Sequence, residues 1–145
     1  MPDVDLNQLA QRESEQIEWE EAVADIDDVV VTLCAFANDL ANLGGGYVVC
    51  GAREAKDEYG FPRLVRTGLS AARLREIEGQ VLTRCRSRVS PPLVPLATEL
   101  PADTKDRRIL VFIQPATASA HTARPGKGCG GGAQLSECGV DARAG

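Results

Sequence analysis

Gln16-Ile17-Glu18-Trp19-Glu20 alternates polar and apolar side chains, the period of a half-buried strand. Ile17 and Trp19 fall on one face, Glu18 and Glu20 on the other. The period then lengthens: Ile26, Val29, Val30, Leu33, Cys34, Ala37 and Leu40 recur at helical spacing. Asp25 or Asp27 opens this helix, placing negative charge at the positive end of its dipole. Gly44-Gly45-Gly46 is expected to end it. Tyr47-Val48-Val49-Cys50, closed by Gly51, is short, β-rich and apolar, which predicts a buried strand. Residues 53–62 are charged and contain Gly60 and Pro62, a hairpin-like turn before a short strand at Leu64-Val65.

A second helix follows. Ser70 stands as its N-cap, with Leu69 and Leu74 spaced as a hydrophobic staple. Leu74, Ile77, Val81, Leu82 and Cys85 form its apolar stripe, and Ser90-Pro91-Pro92 stops it. Residues 93–100 read as extended, with Pro95 marking an edge strand. Ile109-Leu110-Val111-Phe112-Ile113 reads as a strand buried on both faces. The order β-α-β-(β)-α-β-β predicts an α+β fold, one mixed β-sheet with two covering helices. Residues 1–10, with Leu6 and Leu9, form an N-terminal arm and residues 11–122 the domain. Residues 123–145 are a low-complexity tail in which no element can be placed and disorder is expected.

Composition supports a single domain: 145 residues, of which 43% are hydrophobic, suffice for a core. Aromatics are 4%, so the core is aliphatic and stacking platforms for bases are disfavoured. The net charge of -5 argues against a polyanionic partner until its distribution is considered. Residues 1–60 carry 3 basic and 14 acidic side chains, whereas residues 61–90 carry 7 basic and 2 acidic. A local basic face is therefore available, although such arginines also serve as the solvated side of a helix. The 5 cysteines contain no C-x-x-C pair; Cys34, Cys50 and Cys85 sit in apolar patterns as buried small hydrophobes. No disulfide framework is indicated, and a reducing cytoplasm fits. With His121 as the single histidine, a zinc site is not expected. No signal peptide or membrane span is read, so no membrane partner is expected.

Two stretches bear on chemistry. Glu13-Ser14-Glu15-Gln16-Ile17-Glu18-Trp19-Glu20-Glu21 concentrates carboxylates that repel one another unless they hold a cation or face water. Ala35-Phe36-Ala37-Asn38 leads through Gly44-Gly45-Gly46 into Tyr47-Val48-Val49-Cys50-Gly51. Glycine amides can receive a phosphate. Here, however, the glycines follow a helix and precede a strand, the reverse of a phosphate-binding loop, and no G-x-x-x-x-G-K-[ST] occurs. Helix termination and close helix–strand packing explain them as well.

Taken in order, these segments resemble the Schlafen AlbA-like domain: Glu-Ser-Glu-x-x-Glu-Trp, Ala-Phe-Ala-Asn, Gly-Gly-Tyr closing on Gly51, Gly68-Leu69 before a helix and Pro91-Pro92 after it. The resemblance spans residues 11–122. It implies an α+β fold and a DNA- or RNA-binding module of bacterial type, in a family whose members often precede other domains, some in transcriptional regulators. It also implies a second activity, since the animal branch is a metal-dependent ribonuclease with three carboxylates, which map onto Glu13, Glu18 and Glu54. The chain departs from the family at Glu20, where lysine is usual. It departs again at Glu54, where the nuclease branch has aspartate, and at Ala52-Arg53, where Val-Asp is usual. Beyond Ala120-His121 the tail replaces a further strand, which suggests truncation, gene decay or a shifted reading frame.

The expected function is therefore a non-catalytic, regulatory nucleic-acid-binding module, without a cofactor and with a homodimer possible. Its phosphate contacts would come from Arg63, Arg66, Arg73, Arg84, Arg86 and Arg88. One alternative is a ribonuclease in which Glu13, Glu18 and Glu54 hold Mg²⁺ or Mn²⁺. The other is a protein-interaction domain that turns its acidic N-terminal half to a basic partner.

Overall fold

A computed structural model describes residues 4–6, 16–40, 42–124 and 136–137. The alternating segment forms strand β1 (Ile17–Glu20), and helix α1 (Ile26–Asn38) follows. Asp25 is the α1 N-cap: its carboxylate accepts from the Asp27 amide at 2.9 Å. The helix ends earlier than the glycines led us to expect. Asp39 takes the left-handed conformation as C-cap, and its carboxylate accepts from the amides of Leu43 at 2.8 Å and Gly44 at 2.9 Å. An aspartate able to bond its own turn thus does what was assigned to Gly44-Gly45-Gly46. Leu40 falls outside the helix and is exposed.

Two of the glycines open strand β2 (Gly45–Cys50), two residues longer than the apolar run indicated. At Gly45 φ is +108°, and a Cβ would strike the Gln114 carbonyl oxygen of the neighbouring strand. At Gly46 a Cβ would lie 2.6 Å from the Phe36 ring, so α1 seats an aromatic side chain directly on the strand. Residues 53–65 form a complete hairpin, β3 (Arg53–Lys56) and β4 (Pro62–Val65), where a turn and one short strand were expected. β5 (Leu69–Ser70) leads into helix α2 (Ala71–Ser87), with the Ser70 hydroxyl accepting from the Arg73 amide at 3.2 Å. Leu69 and Leu74 are both buried in one cluster, as the staple required. After α2 come β6 (Val89–Ser90), β7 (Leu96–Pro101), β8 (Arg107–Pro115) and β9 (Thr122–Ala123). A short β10 (Ser136–Glu137) pairs antiparallel with β9, so one element does fall in the tail.

The fold is α+β. β8 is the hub of a five-stranded mixed sheet, pairing antiparallel with β2, β7 and β5, while β1 pairs parallel with β2. Ile109, Leu110, Val111 and Phe112 of β8 are wholly buried. Leu110 and Phe112 pack with Val48 and Cys50 against the apolar stripes of α1 and α2. Ile109 and Val111 pack with Ile17, Val49 and Leu6 on the other face, where Leu64 and Leu100 lean in. Both helices therefore cover one face, and Val4, Leu6 and the hairpin residue Leu64 pack on the second. No helix among the described residues is long and apolar enough to cross a membrane.

Phe112 is the largest of the fully buried side chains. Phe112→Ala is expected to cost about 3–5 kcal/mol in denaturant unfolding, and Leu40→Ala no more than about 0.5 kcal/mol.

Candidate functional site

The apolar stripe of α2 faces the sheet, which turns its arginines outward. Arg84 and Arg88 both reach Asp27 on the first turn of α1, their Nη1 atoms donating to Oδ1 at 3.0 and 3.1 Å. These side chains are only a quarter to a third exposed, so the pairs fasten the two helices together. Arg73 is also occupied: one nitrogen donates to the Val23 carbonyl at 2.8 Å and another lies 3.0 Å from Glu76. Arg86 is exposed and has no ion pair among the described residues; its Nε makes a 3.4 Å bond to the Leu82 carbonyl. Arg63 lies exposed on β4, and Arg66, half-buried, follows that strand.

The structure thus divides the six predicted arginines. Arg84, Arg86 and Arg88 lie at the C-terminal end of α2, where Arg84 and Arg88 line a shallow groove with Glu76, Gln80, Thr83 and Ser87. Arg63 and Arg66 belong to the hairpin region, and Arg73 to the start of α2. Sequence reasoning missed Arg124. Its amide donates to the Arg88 carbonyl at 2.8 Å and its guanidinium to the Ser87 carbonyl at 2.7 Å, which brings a fourth arginine to the same end. Only the β6–β9 pairing, Val89 opposite Ala123, brings residues so distant in the chain together.

The carboxylates are arranged differently. Glu18 and Glu20 point to the helix-covered side of β1, because Ile17 and Trp19 take the other side. Burial raises the Glu20 carboxyl above its ordinary 4.5, and Glu18, Asp28 and Asp25 raise it further. Glu54 is exposed on β3, opposite Leu64. Its neighbour Arg53 pairs with Glu21 at 3.0 Å, and Glu21 also accepts from the Thr67 hydroxyl at 2.9 Å. Glu13 lies outside the described residues. Among the described residues no group of three His, Cys, Asp or Glu side chains is placed to hold a metal ion.

His121 has a structural task. Its Nδ1 lies 2.7 Å from the Pro91 carbonyl, which can only accept, so Nδ1 carries a proton; its Nε2 lies 2.6 Å from the Thr117 hydroxyl. Its backbone amide and carbonyl both bond the Asn38 side chain, clasping the segment after β8 to the end of α1. Burial pushes the thiols of Cys50 and Cys85 up to about 12, with Glu20 adding to the shift at Cys50, so neither is a nucleophile at neutral pH. Cys34 is buried as expected but is disulfide-bonded, which corrects the expectation that the cysteines form no disulfide.

The family model "Schlafen, AlbA_2" matches residues 13–129, and the chain belongs to this family. The fold is similar to the solution structure of the N-terminal domain of a Nitrosomonas europaea protein named for its relation to the ATP-dependent DNA helicase RecG. That match has 26% identity and a TM-score of 0.59, over 77% of this chain and 71% of that one. The DIP2311 protein from Corynebacterium diphtheriae gives a TM-score of 0.43 at 16% identity, over 83% of this chain and 25% of that one, a likeness too slight to bear on function. No curated protein matches the chain.

The folded state holds the Glu20 proton more tightly than the unfolded chain does. Stability therefore falls as pH rises from 4.5 through the raised value, and the penalty is complete above it. Glu20→Gln is expected to raise Tm at neutral pH by about 1–3 °C. In melts at a series of pH values the gain should fade as the pH approaches 4.5.

Proposed function

We propose that this domain is a non-catalytic, regulatory nucleic-acid-binding module that holds phosphates at the C-terminal end of α2. The observation that supports this most is the presence of Arg84, Arg86, Arg88 and Arg124 at one end of α2 in a chain whose net charge is -5. Local positive charge of this kind attracts a polyanion even when the whole molecule is acidic. The relation of the Nitrosomonas europaea protein to a DNA helicase points the same way. Asp27 neutralises part of the charge, so Arg86 is the first phosphate contact and Arg124 the second. Such contacts read the backbone rather than the bases, and the binding is weakly specific and salt-dependent.

The test is anisotropy with duplex and single-stranded oligonucleotides at several salt concentrations. Arg86→Ala should lower the slope of log K against log salt by about 0.9 on duplex or about 0.7 on single strands, one phosphate contact. It should leave unfolding stability within about 0.5 kcal/mol. Binding that is absent at low salt, or indifferent to salt, would refute the proposal.

A second reading, the ribonuclease, is favoured by the contact between β1 and β3, the strands that carry Glu18 and Glu54. Both are oxygen donors of the kind that Mg²⁺ and Mn²⁺ take. Two exposed carboxylates without a described third do not make a metal centre, and no catalytic step is assigned to them. Incubation with tRNA and Mn²⁺ tests this reading. Cleavage that EDTA abolishes and Glu18→Gln lowers at least about 100-fold would establish it; the binding module predicts a gel shift without cleavage.

A further inference from the structure

The chain has 3 phenylalanines, 2 tyrosines and 1 tryptophan. Phe112 is buried in the core, and Phe36, Tyr47 and Trp19 pack against its two clusters. The other two do neither. Tyr59 is 77% exposed and Phe61 66% exposed, two residues apart at the tip of the β3–β4 hairpin. Single exposed apolar residues are ordinary on protein surfaces. A pair of rings held out on one loop, in a chain with so few aromatics, is not accounted for by the core.

The loop that carries them is braced. The Asp57 carboxylate accepts from the amides of Tyr59 and Phe61, each at 2.9 Å. The Asp57 amide donates to the Phe61 carbonyl at 2.9 Å, and the Gly60 amide to the Asp57 carbonyl at 3.0 Å. Gly60, at φ +83°, supplies the left-handed residue that the turn requires. The backbone bearing the rings is therefore set before any partner arrives, which lowers the ordering cost of binding. Below the loop, Lys56 stands opposite Pro62 and Arg63 opposite Ala55, both cations exposed and within two residues of a hairpin end. Of the acidic side chains here, Asp57 is engaged with the loop amides, while Glu54 and Glu58 are exposed.

We infer that the hairpin tip is a stacking site for unpaired nucleobases, with Tyr59 and Phe61 meeting base faces and Lys56 and Arg63 the flanking phosphates. The inference rests on the nucleic-acid reading above and narrows it to single-stranded or locally unpaired substrate. In a duplex the base faces are already stacked on one another, and rings on a rigid loop reach them only where pairing is open. Two aromatic rings with exposed Lys56 and Arg63 beneath them combine the two components of single-strand binding, π-faces for the bases and cations for the phosphates.

The experiment uses the full chain and three variants: Tyr59→Ala with Phe61→Ala together, Tyr59→Phe, and Arg86→Ala. Affinity is read by anisotropy on a dT oligonucleotide of about 15 nucleotides and on a duplex of equal length. The double alanine variant should lose about 20- to 100-fold on dT and less than about threefold on the duplex, with an unchanged melting curve. Tyr59→Phe keeps the ring and should bind as the parent does. If the parent binds dT and the double variant binds it equally well, the stacking site is refuted while the phosphate reading, tested by Arg86→Ala, stands. If the parent binds neither oligonucleotide, both fall. A change in sedimentation of the double variant with unchanged dT affinity assigns the tip to self-association and also overturns the inference.

Discussion

The structure depends on β8 being buried on both faces. Ile109, Leu110, Val111 and Phe112 have no exposed surface, so each face of the sheet must be covered by something. The strand's own amides and carbonyls must be paired at the same time, because water cannot reach them. β2 meets that need along one edge, and β7 and β5 complete it. α1 and α2 close one face, while Leu6, Ile17 and the hairpin residue Leu64 close the other. Every other aromatic ring lies in or against the core, so Tyr59 and Phe61 are conspicuous on the surface.

The arginines show how one residue type is divided between fold and surface. Asp27 accepts from Arg84 and Arg88 together, so two of the four guanidinium groups at the end of α2 also hold the helices in place. An anion that draws either one away must compete with that carboxylate, whereas Arg86 is exposed and has no ion pair among the described residues. The same end is the negative pole of the α2 dipole, which cations near the last turn complement. Their placement has a structural reason as well as a ligand-binding one.

Much of the fold was legible because period and capping are local. The β1 alternation, the stripes of both helices, the Asp25 and Ser70 caps and the two-faced β8 all follow from side chains a few residues apart. The end of α1 was misplaced because Asp39 in a left-handed conformation competes with a triple glycine as a stop signal, and glycine is the stronger prior. β3 was read as turn because Arg53-Glu54-Ala55-Lys56 has little apolar content, and its strand character comes from pairing with β4. Arg124 was invisible for a related reason: its proximity to Arg88 is a product of the β6–β9 pairing. The exposure of Tyr59 and Phe61 was missed because composition counts aromatics without saying which of them face water.

Pro95 and Pro101 bracket β7, the strand that pairs with β8 along one side of the sheet. Pro101 has no amide to offer, and between the prolines Glu99 sets an exposed carboxylate on the strand. On the opposite side β1 has only four residues, and two of them are Glu18 and Glu20. Short, charged and proline-bracketed borders are those on which a further strand from another molecule finds few partners and meets repulsion. The sheet thus carries its own resistance to strand-by-strand aggregation, built on one border from acidic residues that also make the N-terminal half so negative.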